Sequence, residues 1–334
     1  MVILLMNFED VRKFDVGGAV SRYVADLTRS KKMLIYQCVA IILKLFSATR
    51  STRRMYRWLG NWIGQSRRKK RFNTTYIERG KWLLDRLTEF GLNLSPSSHV
   101  LELGTGWMHF YAVFLRLFST TQITVFDVID NRQLSALQWT FNKLPGYLKK
   151  YFLLNEKKAS LIQLLTNQIA SVSSFEELYK LLEFTYRINP AGDLSSFEDN
   201  GFDLVFSFDV LEHIQHDDII DSIGSYYRVL KPGGYLIHQI GLDDHLAHYD
   251  CRASRKQFLT YSESEWKFRF ENQVPYSEFL TLFENRGFEQ VHASVLREPE
   301  SVIDLSIAKQ YQNLSLEDLE ATRAFLVYRK SAAK

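Results

Sequence analysis

An α/β fold built on a mostly parallel sheet follows from three ordered segments. In the first, Val100, Leu101 and Leu103 form a short apolar run in His99–Trp107. It is followed at once by Gly104-Thr105-Gly106 and then by a helical pattern from His109 to Phe118. A glycine turn between a buried strand and a helix lets the backbone approach a ligand at the carboxyl edge of a parallel sheet. In the second, Gln122–Phe126 reads as a strand and ends on Asp127, one helix later. The third comprises Phe202-Asp-Leu-Val-Phe-Ser-Phe-Asp-Val-Leu-Glu-His-Ile214 and then Tyr227-Arg-Val-Leu-Lys-Pro-Gly-Gly-Tyr-Leu-Ile237. There a proline stops a helix, and Gly233 and Gly234 supply a reverse turn before another buried strand.

The glycine spacing narrows the ligand. A dinucleotide turn carries glycines at its first, third and sixth positions. Here Gly104 and Gly106 fill the first two, but the sixth is His109, so NAD-type pyrophosphate binding is disfavoured. Together the acid-plus-glycine turn, the FDLV…LEH segment and the LKPGG segment, in this order, resemble the class I S-adenosylmethionine (SAM)-dependent methyltransferases across about residues 95–300.

That resemblance implies a Rossmann-like, seven-stranded, mostly parallel sheet and SAM as cofactor. On the family's pattern Gly104, Thr105 and Gly106 line the amino-acid end of SAM, and Glu102 orients that end through the turn or a water. Asp127 accepts the ribose hydroxyls, with Asp130 as its competitor, since a carboxylate at a strand end has the lone pairs to do so. The adenine-contacting position falls near Asn189-Pro-Ala-Gly-Asp193, with Asn189 the first choice and Asp193 the alternative. Asp209 is counted among the cofactor-facing residues. Trp107 replaces the family's common third glycine and implies an altered wall near the methionine end.

Methyl transfer to a hydroxyl also needs a base. Asp244, His245, His248 and Asp250 follow the fifth strand directly, and a histidine held by a carboxylate is a good base near neutral pH. His245 is the first choice, with Asp244 and His248 beside it in the candidate catalytic set. The Asp209, Glu212, His213 spacing resembles one that binds a divalent cation in quinone-pathway O-methyltransferases. Glu-His is also frequent here in members that bind no metal, and no metal is expected.

The remaining chain sets the architecture around this sheet. The sequence has 334 residues, 46% apolar and 14% aromatic, enough for a substantial core. Cys38 and Cys251 are its two cysteines, which excludes a disulfide framework and suits a reducing, cytoplasmic setting. Residues 1–75 form a helical N-terminal extension, and 76–334 the catalytic domain. Within that domain, about 132–183 is a helical insertion, with Leu134, Leu137, Phe141 and Leu144, then Leu161, Leu164, Leu165 and Ile169, at helical spacing. It reads equally as a lid over the acceptor pocket or as a structural addition. Phe184–Ile188 is the third strand; Gln290–Leu296 and Ala324–Tyr328 form a final antiparallel pair, after a helix from Tyr276 to Asn285 that Gly287 caps.

Between Arg50 and Arg71 lie nine Lys or Arg and no acid, interleaved with Tyr56, Trp58 and Trp62. The preceding run, Met33–Phe46, is shorter than the roughly 20 residues that span a bilayer. Residues 33–71 thus fit either an interfacial helix on an anionic membrane, which would make the protein membrane-peripheral, or a helical cap with a solvated basic face. The expected activity is O-methylation of a small-molecule or lipid-linked acceptor. A net charge of +4 is too small to imply nucleic acid. The Asn/Asp-Pro-Pro-aromatic element of base-methylating enzymes is also missing after the fourth strand, where Phe208-Asp-Val-Leu stands. An RNA methyltransferase, or a partner protein that binds SAM without turnover, are the alternatives.

Overall fold

A computed structural model describes residues 72–248, 252–262, 272 and 274–332. These belong to one unit, formed by 68–262 and 270–334, while the second unit, 1–67 with 263–269, lies outside the described residues. The expectations for the N-terminal extension, for the 33–71 membrane face and for Asp250 therefore lie outside the described residues.

Seven strands run β1 (His99–Leu103), β2 (Gln122–Asp127), β3 (Phe184–Ile188), β4 (Phe202–Phe208), β5 (Leu230–Gly241), β6 (Phe288–Arg297) and β7 (Ala321–Lys330). Their spatial order is β3-β2-β1-β4-β5-β7-β6. The first five pair in parallel; β7 inserts antiparallel between β5 and β6. The chain winds outward from β1 to β3 and then returns to β4 on the other side of β1. The β1/β4 boundary is therefore the switch point at which an open parallel sheet forms a ligand crevice.

Alternation along each strand builds two cores. Val100, Ile123, Val125, Leu204 and Phe206 face one cluster, while Leu101, Leu103, Phe126, Val205 and Leu236 face the other. The first is covered by α1 (Thr75–Glu89), α2 (Phe110–Phe118) and, in the region read from sequence as an insertion, α3 (Leu134–Leu148), α4 (Glu156–Ser171) and α5 (Phe175–Leu182). The second is covered by α6 (His216–Val229) and α7 (Tyr276–Asn285), which contribute Ile219, Ile223, Phe279 and Phe283. A short α8 (Leu316–Glu320) precedes β7. No helix among the described residues is long and apolar enough to cross a membrane.

Two sequence expectations need correction. Lys231–Gly234 turns within β5 and not ahead of it: the pairing with β4 passes from Phe202 with Leu230 to Leu204 with Tyr235, so these four residues loop out of the ladder, with Gly233 at φ +79°. A local irregularity absorbs the glycines without ending the strand. The last two strands also run longer than predicted, because exposed Glu289 and Gln290 break the apolar run at the sheet edge without breaking the ladder.

Helix α1 crosses α2 at a glycine. A Cβ built on Gly80 would stand 2.6 Å from the Phe114 ring, itself 1% exposed. Gly→Ala inside a helix ordinarily gains about 1 kcal/mol. Overpacking a rigid core costs about 1–3 kcal/mol, so Gly80→Ala is expected to destabilise the protein. Urea unfolding checks this; a raised midpoint for the variant would refute close packing of the two helices.

Candidate active site

The carboxyl ends of β1, β2, β4 and β5 each deliver an acid. At β1, Glu102 points to the α2 side and is 2% exposed. Its Oε2 accepts from the Ala112 N–H (3.0 Å) and from the Thr105 hydroxyl (3.1 Å), one from the following helix and one from the glycine turn. Burial pushes its carboxyl up to about 8. Glu102 therefore contacts the turn directly, through the Thr105 side chain.

The turn is shaped by backbone that only glycine adopts at no cost. Gly104 has φ +63°, and a Cβ there would meet Val210 at 2.4 Å. Gly106 has φ +66° and no heavy atom nearer than 3.9 Å to a built Cβ, so its outer side is an open cradle. The Gly106 N–H donates to Asp127 Oδ2 (2.9 Å), and the Ile129 N–H donates to Oδ1 (3.2 Å). Asp127, buried, thus closes the turn from the end of β2; burial raises its pKa against these hydrogen bonds. Glycine cradle and adjacent strand-end acid fit the amino-acid and ribose ends of SAM. Its competitor Asp130 is tied to Arg132 Nε at 2.9 Å.

His109 follows in the left-handed region, φ +48°, fully buried. Its Nδ1 lies 2.7 Å from the Thr105 hydroxyl and its Nε2 2.8 Å from the hydroxyl of Tyr179 on α5. Burial first, and then the charge of Arg132, lower its pKa to about 3 and keep the ring neutral. Trp107 packs edge-on toward Tyr76, ring centres 6.5 Å apart.

Asn189 is half-buried beside Asp127, whose carbonyl accepts its backbone N–H (3.1 Å). Its side chain, however, donates to the Asp193 carbonyl and accepts from the Ala191 N–H, so it closes its own loop. The Asp193 carboxyl is committed to Ser195. Asp209 directly follows β4. It sits at φ +54° and pairs with Arg79 of α1 at 2.6 Å, and Gln239 donates to its other oxygen (3.2 Å). Arg79 in turn reaches the Tyr111 hydroxyl (3.3 Å). No motif marks Arg79, and only tertiary packing brings it to this end of the sheet.

The ends of β4 and β5 form the second half of the site. A single 3-10 turn, Leu211–His213, presents Glu212 inward; Asn272 clamps it by donating to the Leu211 and Ile214 carbonyls. Glu212 is 3% exposed. Its Oε1 accepts from the Gly241 N–H (3.1 Å), while Oε2 is buried with no hydrogen-bond partner. Burial and the charge of Asp209 raise its pKa to about 8, and positive charge on His245 would lower it.

His245 opens the short turn His245–His248 after β5. Ring centres of His213 and His245 are 5.1 Å apart, and donor atoms of Glu212, His213 and His245 all fall within 4.8 Å of one another. These three are the described residues grouped as a potential cation-ligating set; Asp209, in the spacing read from sequence, is not one of them. Asp244 is buried, and its Oδ1 accepts from the Leu246 N–H (2.8 Å), capping the turn. A carboxyl brought to His245 is that of Glu212. His248 ends the turn.

Comparison with known proteins accords with this geometry. The family described as "Methyltransferase domain" matches residues 75–293. No curated protein matches the chain. Among solved structures, Haemonchus contortus phosphoethanolamine N-methyltransferase 2 in complex with SAM is 16% identical (TM-score 0.43), covering 76% of this chain and 52% of that one. A geranyl diphosphate methyltransferase in complex with GPP and sinefungin is 12% identical (TM-score 0.45; 76% and 77% covered). A SAM-dependent methyltransferase from Methanosarcina mazei is 16% identical (TM-score 0.40; 73% and 97% covered). The chain belongs to the methyltransferase-domain family, with the class I fold and SAM as its cofactor.

Proposed function

We propose that the protein methylates an oxygen of a small-molecule or lipid-linked acceptor, with His245 taking the hydroxyl proton. The observation that carries this is the convergence of His245, His213 and the Glu212 carboxyl beside the β1/β4 crevice. An amine acceptor arriving neutral needs no base, whereas a hydroxyl must lose its proton as it is methylated. When bound, SAM supplies an electrophilic methyl group on a sulfonium, a leaving group that requires no acid. The protein's share is then alignment and proton transfer, worth several powers of ten in rate when the reacting atoms are held in line.

In this reading His245 accepts the proton, and the buried Glu212 carboxyl stabilises the resulting imidazolium. The two charges favour one another, so protonation of His245 lowers the Glu212 pKa from its raised value. Asp244 caps the backbone of the turn. Glu102 fixes the glycine turn, Gly104–Gly106 line the amino-acid end of SAM and Asp127 takes the ribose. Asn189 borders the adenine end through its backbone, and Asp209 positions α1 through Arg79.

SAM with a panel of catechols, quinols, sugars and polyketide-type hydroxyls, read as S-adenosylhomocysteine release, tests the proposal. His245→Ala is expected to lower turnover about 10²–10⁴-fold with homocysteine-product affinity within twofold of wild type. Turnover of amines alone, or an unaffected variant, would refute the assignment. Chelation is expected to leave the rate unchanged; loss restored by a divalent cation would reassign the trio as metal ligands.

The protonation state of Glu102 gives a separate test. Its pKa is raised from 4.5 to about 8 in the fold, so the folded protein keeps a proton that the unfolded chain loses between those values. Stability from this group is therefore full at acid pH and is lost as pH rises toward 8. Glu102→Gln keeps an oxygen for Thr105 and Ala112 and cannot ionise. The variant should gain on wild type by roughly 1.4 kcal/mol per pH unit within that window. Urea unfolding at pH 5.5 and 7.5 measures it, and a constant difference between the two proteins would rule out the buried neutral acid.

A further inference from the structure

We propose that helix α5 of the insertion is a working part of the cofactor site, setting the conformation of the glycine turn through Tyr179 and Arg132. The donors order themselves along the contact chain. Thr105 donates its hydroxyl proton to Glu102 Oε2, so its oxygen must accept from His109 Nδ1–H. In a neutral imidazole that leaves Nε2 as an acceptor, which the Tyr179 hydroxyl fills at 2.8 Å. The Tyr179 oxygen is free to accept from Arg132 Nη1 at 3.5 Å. The result is one direction of donation from a cation at the β2 loop, through α5, to a carboxyl under β1.

Arg132 joins the second cofactor loop to the same helix. Its guanidinium lies 4.7 Å over the Tyr186 ring, grips Asp130 and reaches Glu176 of α5 at 3.0 Å. The two loops also touch each other, since the Gln133 N–H donates to the Trp107 carbonyl at 2.7 Å. Rings of Phe175, Tyr179 and Tyr186 surround His109 at 5.1–5.8 Å between centres. A histidine in the left-handed region, where the backbone is strained, is held there from both ring nitrogens. Losing the Tyr179 hydroxyl leaves a buried acceptor unfilled. It also frees the ring to reverse its tautomer, which would turn the Thr105 hydroxyl away from Glu102. Tyr179 is thus a positioning residue, one that fixes the turn without touching the methyl donor.

Isothermal titration of the full-length protein with S-adenosylhomocysteine is the test. Tyr179→Phe keeps the ring and is expected to weaken binding about 5–10-fold; Arg132→Met is expected to weaken it in the same direction. Phe279→Leu, in α7 on the opposite face of the sheet, lowers the unfolding temperature without touching the relay and should bind within twofold of wild type. Side-chain nitrogen NMR of His109 should report an Nδ1–H ring in wild type and a shifted population in Tyr179→Phe. Tyr179→Phe binding within twofold of wild type, or Phe279→Leu losing as much affinity, would overturn the proposal. If wild type itself gave no binding heat, cofactor recognition would fail before the relay was reached.

Discussion

A carboxyl group surrounded by hydrocarbon stays in place only if its oxygens find donors, and Glu102 finds them on both sides of one turn. The Ala112 N–H fixes it to the start of α2, and the Thr105 hydroxyl fixes it to the glycine loop. The same oxygen thus sets the distance between strand end, loop and helix. Hydrogen bonds of this kind contribute about 1 kcal/mol net each, but leaving the buried group unpaired would cost more. The loop's outward face is consequently fixed from beneath, while its inner face is closed by Asp127 accepting the Gly106 N–H. What remains exposed at Gly106 is backbone, which is what close approach of a ligand requires.

The two halves of the crevice carry similar electrostatics by different means. Glu102 and Glu212 are both buried acids with pKa raised to about 8. At β1 the neutral acid is held by donors on a turn, a structural use. At β4 one oxygen is occupied by Gly241 and the other has no partner, beside two histidines. A low-dielectric carboxyl next to an imidazole is a place where a proton can be accepted and its charge offset. The Arg79–Asp209 ion pair lies at the end of the same strand, and the Asp209 charge adds to burial in raising the Glu212 pKa. Burial of one acid thus steadies the glycine turn, and burial of the other sets a proton-holding carboxyl beside two histidines.

The backbone of this site was far more legible in the sequence than its side-chain partners. The boundaries of β2 and β4 follow from apolar runs that end on Asp127 and Phe208, because a strand buried on both faces has little polar interruption; β3, at the sheet edge, is mostly exposed and alternates with polar residues. Glycine positions betrayed the turn for the same local reason. Helix α3 was visible through Leu137, Phe141 and Leu144, which are buried, whereas in α4 Leu161 and Leu164 share the helical spacing but are exposed. What periodicity could not give was any contact that joins distant segments: Arg79 to Asp209, Asn272 to the Leu211–His213 turn, Tyr179 to His109. Asp244 and His245 are adjacent in sequence; in the fold Asp244 also caps the short helical turn, and Glu212, 33 residues away, comes beside the ring.

Two of the five non-glycine residues at positive φ among the described residues lie in loops that leave the carboxyl edge of the sheet. His109 and Asp209 each sit in that region, at the ends of the loops after β1 and β4. The conformation costs roughly 1–2 kcal/mol for a residue with a Cβ, and each carries a compensating side-chain network: Thr105 and Tyr179 for His109, Arg79 and Gln239 for Asp209. A glycine at either place would remove the strain and the network together, leaving a looser turn. Placing a side chain there instead ties α1 to β4 and α5 to β1. The helices that flank the crevice are thereby anchored to its floor, and the shape of the cofactor turn becomes dependent on elements remote from it in sequence.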